Sequence, residues 1–324
     1  MSNATPYDLE NEKIISEIKS RGVKTVIIQA PDGLKAHLKD LWMELSSAGI
    51  TVYISADPCY GGCDLADDIG RKLGAEMLIH IGHNKFVRTA EEIPTLYIPA
   101  PYLVDLSELI RRSVEFLRSR GVRRVGLVAS LQHVHSLKNF VEGLRSKGFE
   151  VVVDDATGGV VLGCNGEAAK RIAGSVDIIL HVGGGDFHAL GVALSVEIPV
   201  YIADPYRGEI RDVERLKRKT LARRWWAIQE ARRAQIFGVV VVAKVGQFNR
   251  DLALLIKREL EARGRKALMV VAEEVNWERL SSLTFVDSFI ITGCPRISLD
   301  NQEIFGKPVL NSEDFKELLK VMEG

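Results

Sequence analysis

Three of the four cysteines, Cys63, Cys164 and Cys294, fall one in each third of this 324-residue chain. Thiols this far apart can hold a metal or an iron–sulfur cluster only if the fold brings separate segments together. Cys63, in YGGCDLADDIGRKLGAEMLIHIG, and Cys164, in VLGCNGEAAKRIAGSVDIILHVG, each follow a glycine and open a helix-like stretch. Each lies nineteen residues before the glycine that ends the next hydrophobic run, Gly82 and Gly183. Cys294 directly follows the corresponding glycine of a third run, VDSFIITGCP. A thiolate at a helix N-terminus is favoured by the helix dipole, as metal ligation requires. The plainer reading of any one cysteine is a small buried apolar residue. Recurrence at loop-to-helix junctions favours ligation. Zinc usually completes a structural site with four ligands, often from CxxC pairs, and no such pair is present. A cubane cluster also usually takes four cysteines, so three would leave one iron open to substrate. Cys59, four residues before Cys63, has no counterpart in the second segment and is read as a non-ligand.

The elements that must position these residues repeat three times. Valine- and isoleucine-rich runs VKTVIIQA, VRRVGLVAS and IFGVVVVAK have the signature of parallel strands buried on both faces. Each is followed by an amphipathic helix ending at glycine: LKAHLKDLWMELSSAG, HSLKNFVEGLRSKG and NRDLALLIKRELEARG. Second strands ITVYISA, FEVVVDDA and KALMVVAEE follow, then a helical stretch, then EMLIHIG, DIILHVG and DSFIITG. The runs IPTLYIPA, IPVYIADP and KPVLN offer a fourth strand to each. Alternating strand and helix predicts an α/β fold of mostly parallel sheets. The expected organisation is three similar small domains from an internal triplication, over 1–104, 105–210 and 211–324, meeting at a central cluster site.

Composition restricts the functional classes. Lysine plus arginine equals aspartate plus glutamate at 43 each, so no global field favours nucleic acid or an anionic membrane. The start MSNATPYDLENEK lacks the basic and apolar parts of a signal peptide, and no apolar run approaches a membrane span. A cytoplasmic protein is expected, with thiols that bind metal, act in catalysis or are inert.

Polar residues recur where the first strand of each unit ends. Gln29 and Asp32 stand in QAPDGL, Gln132, His133 and His135 in LQHVHS, and Gln247 in KVGQFNR. Recurrence there predicts one pocket at the carboxyl ends of the sheets, although each residue alone could serve only its loop. In GGGDFHALG, Gly183, Gly184 and Gly185 could present backbone amides to an anion or a ribose, or simply make a tight turn. The GxGxxG dinucleotide spacing is absent. The segment 211–233 is basic and contains Trp225 and Trp226; it reads as a linking helix whose tryptophans pack on a domain, or as a surface that docks a protein substrate.

Taken together, YGGCDLAD, LQHVHSLK, VLGCN, GGGDFHALG, ADPY, ARRWWAI and ITGCPRISLD make the chain similar to the archaeal 3-amino-3-carboxypropyl transferases that begin diphthamide synthesis. The likeness spans about Ile15 to Phe315, with the motifs in family order. It implies a 4Fe-4S cluster held by Cys63, Cys164 and Cys294, and S-adenosylmethionine as cosubstrate. It implies reductive cleavage of the methionine Cγ–S bond, giving a 3-amino-3-carboxypropyl radical and methylthioadenosine. The group would pass to the imidazole C2 of a histidine in translation elongation factor 2. An electron donor of unspecified identity and a homodimer are the further implied partners. His188 could then meet the cosubstrate carboxylate or cap its helix, and Gln132, His133 and His135 could position the substrates. Cys59 departs from the family pattern. Two other readings remain open on the residues: a non-catalytic iron–sulfur electron carrier or accessory protein, and a zinc-stabilised binding module.

Overall fold

A computed structural model describes residues 5–86, 90–300 and 304–323. The chain forms two compact units, Met1–Glu214 and Arg215–Gly324. The first contains two sheets. Strands β1 (Thr25–Gln29), β2 (Thr51–Ile54), β3 (Met77–Ile81) and β4 (Thr95–Ile98) are all parallel, in the order β2-β1-β3-β4. The second sheet holds β5 (Arg124–Ala129), β6 (Glu150–Val153), β7 (Ile178–Val182), β8 (Val200–Asp204) and β9 (Glu209–Asp212), in the order β6-β5-β7-β8-β9. Within it β9 runs antiparallel to β8, and the other described pairs are parallel. The second unit has one sheet of β10 (Ile236–Val242), β11 (Lys266–Ala272), β12 (Ser288–Ile291) and β13 (Val309–Asn311), parallel in the order β11-β10-β12-β13. All three sheets thus share one strand order.

Burial explains which segments became central. The β3, β7, β8 and β12 strands are buried at every position, and β1, β5 and β10 at all but the first. Such strands are covered by helices on both faces and need continuous apolar character. The edge strands β2 and β11 are mostly half-buried or exposed, with fewer neighbours to satisfy. Each of the three weak fourth runs supplied a strand. The polar β9, EIRD, had no such signature and was not anticipated.

The helices after β1, β5 and β10 bury residues four apart: Leu41 and Leu45, Phe140 and Leu144, Ile256 and Leu260. That spacing puts each pair on one face, toward its sheet. Gly49, Gly148 and Gly264 then turn the chain with φ of 77°, 91° and 75°, the left-handed region in which a Cβ is strained. The first helix is broken, into Asp32–Lys35 and Lys39–Ser47.

The helix Glu214–Ala231 covers most of the basic segment. Small and aliphatic residues, Ala227, Ile228 and Ala231, occupy its buried face, and Arg224 pairs with buried Asp314 at 2.7 Å. Trp225 and Trp226 are 53% and 56% exposed, which corrects the expectation that they pack on a domain. Among the described residues no helix is long and apolar enough to cross a membrane.

Candidate functional site

In each sheet the second strand lies on one side of the first, and the third on the other. The crossovers therefore leave the first strand in opposite directions and open a crevice at the carboxyl ends of the first and third strands. Cys63 follows β2, Cys164 follows β6 and Cys294 follows β12, each in the loop beyond the carboxyl end of its strand. All four cysteines are thiols: Cys59 is buried, Cys63 and Cys294 are half-buried, and Cys164 is exposed. The helices after Cys63 and Cys164 begin only at Asp67 and Glu167, so the thiols stand before the first turn, and the dipole contribution expected there is reduced.

The loop of Cys63 is fixed from below by Gln29, the last residue of β1. Its buried Oε1 accepts from the Ala66 N–H at 3.0 Å and lies 3.0 Å from Nδ1 of His80. His80 sits beside Gln29 in the β1–β3 register, which sets that second contact. The loop is also clamped from the side: a Cβ at Gly62 would lie 2.1 Å from the carbonyl oxygen of Asn84. Only glycine allows that approach.

The Cys164 loop lies against the helix Phe187–Ser195 of the second sheet. A Cβ on Gly163 would strike the Phe187 ring at 2.1 Å, and one on Gly191 would meet the Gly163 oxygen at 2.4 Å. The GGGDFHALG segment therefore seats this cysteine loop through its helix. Its opening glycines differ among themselves. Gly183 abuts His181 and Ser130, Gly184 lies under the Tyr206 ring, and Gly185, at φ 69°, faces open space.

In the second unit the Cys294 N–H donates to Oε1 of Gln247 at 3.3 Å. Gln29 and Gln247 thus do comparable work: each gives a side-chain oxygen to the backbone of a cysteine loop. Both were expected to line a substrate pocket; the structure places them against the loops that carry the thiols.

The histidines gather in the first unit. Gln132 donates from Nε2 to the Gly82 carbonyl at 2.7 Å, tying the second sheet to the end of β3. His133 is buried with Nε2 3.3 Å from the Tyr206 hydroxyl, which in turn is 3.1 Å from that of Tyr7. His188 lies in a stacked arrangement 6.3 Å from His181. Burial first, then neighbouring imidazoles, lowers His80 and His181 to about 3 and His83 and His133 to about 4. The charge of His188 is among the influences on His83, His133 and His181. These imidazoles are neutral near pH 7, suited to hydrogen bonding or ligation and not to carrying charge. Asp32 and His135 stand apart, both exposed. Asp32 pairs with Lys35 at 2.8 Å, and His135 lies 3.1 Å from the Ser136 hydroxyl. Asp204 of ADPY holds its own turn, accepting from the Tyr206 and Arg207 N–H groups and pairing with Arg211.

Two further residues escaped the sequence reading. His80 and His83 stand with Cys59 as a cluster of potential ligand atoms within 4.8 Å of one another. One signal was available: His80 and His181 occupy the same place in EMLIHIG and DIILHVG.

A profile of the diphthamide synthesis protein family matches residues 30–323. The chain belongs to this family. It is 34% identical to the 2-(3-amino-3-carboxypropyl)histidine synthase of Pyrococcus horikoshii, over 98% of this chain and 92% of the relative. The synthase of Methanocaldococcus jannaschii is 29% identical over 98% and 91%. The crystal structure of Dph2 from Pyrococcus horikoshii with a 4Fe-4S cluster superposes with a TM-score of 0.87 at 32% identity, covering 97% of this chain and 91% of that one. The chain is thus a transferase of the diphthamide synthesis family, and its three mostly parallel sheets flanked by helices are the fold of that neighbour. The Gln29 anchor has a testable role of its own. Gln29→Leu should strand the Ala66 N–H and the His80 Nδ1, at about 1–3 kcal/mol for each buried group left unsatisfied. A lowered melting temperature checks this; an unchanged value would remove Gln29 from the support of the Cys63 loop.

Proposed function

We propose that this chain transfers the 3-amino-3-carboxypropyl group of S-adenosylmethionine to the imidazole C2 of a histidine in translation elongation factor 2, the first step of diphthamide biosynthesis, releasing methylthioadenosine. The observation that carries this is the agreement of near-full-length similarity to the archaeal synthases with three thiols seated on glycine loops at sheet ends. Thiols fit the donor chemistry of an iron–sulfur cluster, and their partial exposure leaves room for inorganic sulfide and iron. Cys63, Cys164 and Cys294 would hold a 4Fe-4S cluster, with three similar domains from a triplication supplying one thiol each; the shared strand order supports that origin. When bound, such a cluster supplies the electron for reductive cleavage of the Cγ–S bond and an iron without a protein ligand.

The chain's own residues would bind and orient. Gln29 and Gln247 keep the cysteine loops in place. In the first unit, neutral His133 and His181, with His188 and the amides of Gly184 and Gly185, would offer hydrogen-bonding groups to the polar ends of the cosubstrate, whereas the Gly183 N–H already donates to the Ala203 carbonyl at 3.1 Å. Neither ring nitrogen of buried His181 meets a hydrogen-bond partner among the described residues, a capacity a bound ligand could use. Gln132 is already engaged with Gly82, so its part is to join the two sheets. The working form would be a cytoplasmic homodimer served by a separate electron donor.

Anaerobic turnover tests this reading. The reconstituted, reduced protein should convert S-adenosylmethionine to methylthioadenosine and add the 3-amino-3-carboxypropyl mass to elongation factor 2. Release of 5′-deoxyadenosine would overturn the bond assignment. A reduced cluster with no product would favour the electron-carrier alternative.

A further inference from the structure

We infer that Cys59, His80 and His83 form a second site, for a borderline-soft divalent cation of the zinc class. Sγ of Cys59 lies 4.0 Å from Nε2 of His80 and 3.8 Å from Nδ1 of His83, and the two nitrogens are 3.1 Å apart. Zinc bonds of about 2.05 Å to nitrogen and about 2.3 Å to sulfur can be satisfied together inside this triangle, by a point about 0.3 Å out of its plane. Ideal tetrahedral edges would be about 3.3 Å for N···N and about 3.6 Å for S···N, so contractions of a few tenths of an ångström at sulfur complete the geometry.

The surroundings are those of a built site. Oε1 of Gln29 accepts from the Ala66 N–H and faces Nδ1 of His80, so the imidazole proton sits on Nδ1 and the Nε2 lone pair points into the triangle. An outer-shell carbonyl that fixes the tautomer of a ligating histidine is the usual support of a metal centre. Cys59 and His80 are buried, whereas His83 is partly exposed and gives the ion a way in. Thiolate and imidazole donors select against magnesium and calcium. On binding, the Cys59 thiol proton leaves to solvent and the His83 proton moves from Nδ1 to Nε2, freeing both facing nitrogens. Water or an added ligand takes the fourth position. The ion ties the start of the Cys63 loop to the end of β3.

Cobalt(II) reports this directly, because alanine at Cys63, Cys164 and Cys294 leaves Cys59 as the single thiol of the chain. That triple variant, purified without iron, should bind one cobalt with a near-ultraviolet thiolate-to-metal band and intense tetrahedral visible bands. Zinc should displace the cobalt and raise the melting temperature. Adding Cys59→Ser should abolish the thiolate band, and adding His83→Asn should weaken cobalt binding by roughly tenfold or more. No thiolate band in the folded triple variant, or equal affinity after His83→Asn, would overturn the site. Should the triple variant fail to fold, cobalt titration of the cluster-free native chain against Cys59→Ser alone decides it: one equivalent must be lost. The result does not depend on which cysteines hold a cluster.

Discussion

Alanine in place of Cys63, Cys164 or Cys294 is expected to abolish turnover and most iron retention, while Cys59→Ala retains both. The asymmetry follows from where the four thiols stand. Cys63, Cys164 and Cys294 lie on half-buried or exposed loops at sheet ends, each loop shaped by glycine contacts or by a glutamine acceptor. A three-thiolate set has no spare member, so one loss should exceed the roughly 10–100-fold cost of deleting an outer-shell partner. Cys59 cannot stand in: it is buried, with its sulfur facing two histidine nitrogens. Iron and acid-labile sulfide after anaerobic reconstitution, read beside methylthioadenosine formation, check both halves. Equal iron loss in Cys59→Ala and Cys63→Ala would reassign the ligand set.

The contrast between Cys59 and Cys63 also shows what the sequence could convey. Repeat position separated these two cysteines, because the second segment carries a counterpart of Cys63 alone. The strands were legible for a similar reason: TVIIQ, RVGLVA and IFGVVVV are central, doubly covered strands whose burial demands unbroken apolar character. Contacts made across long separations were not legible. Gln29 and His80 lie 51 residues apart, and only the β1–β3 register makes them neighbours. A polar residue after a strand therefore looked like a pocket wall, when its oxygen was committed to a loop amide. Trp225 and Trp226 misled in the opposite sense, since their size suggested packing while the smaller Ala227, Ile228 and Ala231 took the buried face. EIRD paired as β9 without any apolar pattern, its place set by the neighbouring β8 and not by its own composition.

Mild acid should destabilise the first unit selectively, through its buried histidines. All seven histidines of the chain lie between His37 and His188, hence within Met1–Glu214, and the second unit has none. His181 and His133 are 0% and 1% exposed, with pKa values lowered to about 3 and about 4, chiefly by burial. Unfolded, each would titrate near 6.5. As pH falls below that value the unfolded chain binds protons that the folded chain refuses, so stability is lost on acidification. The loss approaches about 1.4 kcal/mol per pH unit for each such histidine below about pH 5.5, and levels off only near the folded values. Hydrogen exchange from pH 7 to 4.5 should therefore show protection fading in β3, β5 and β7 before β10 and β12. His181→Leu should flatten this dependence, because it removes a buried group whose two nitrogens meet no hydrogen-bond partner among the described residues, at little cost near neutral pH. An unchanged acid slope in His181→Leu, or simultaneous loss of protection in both units, would show that histidine protonation does not limit stability in acid.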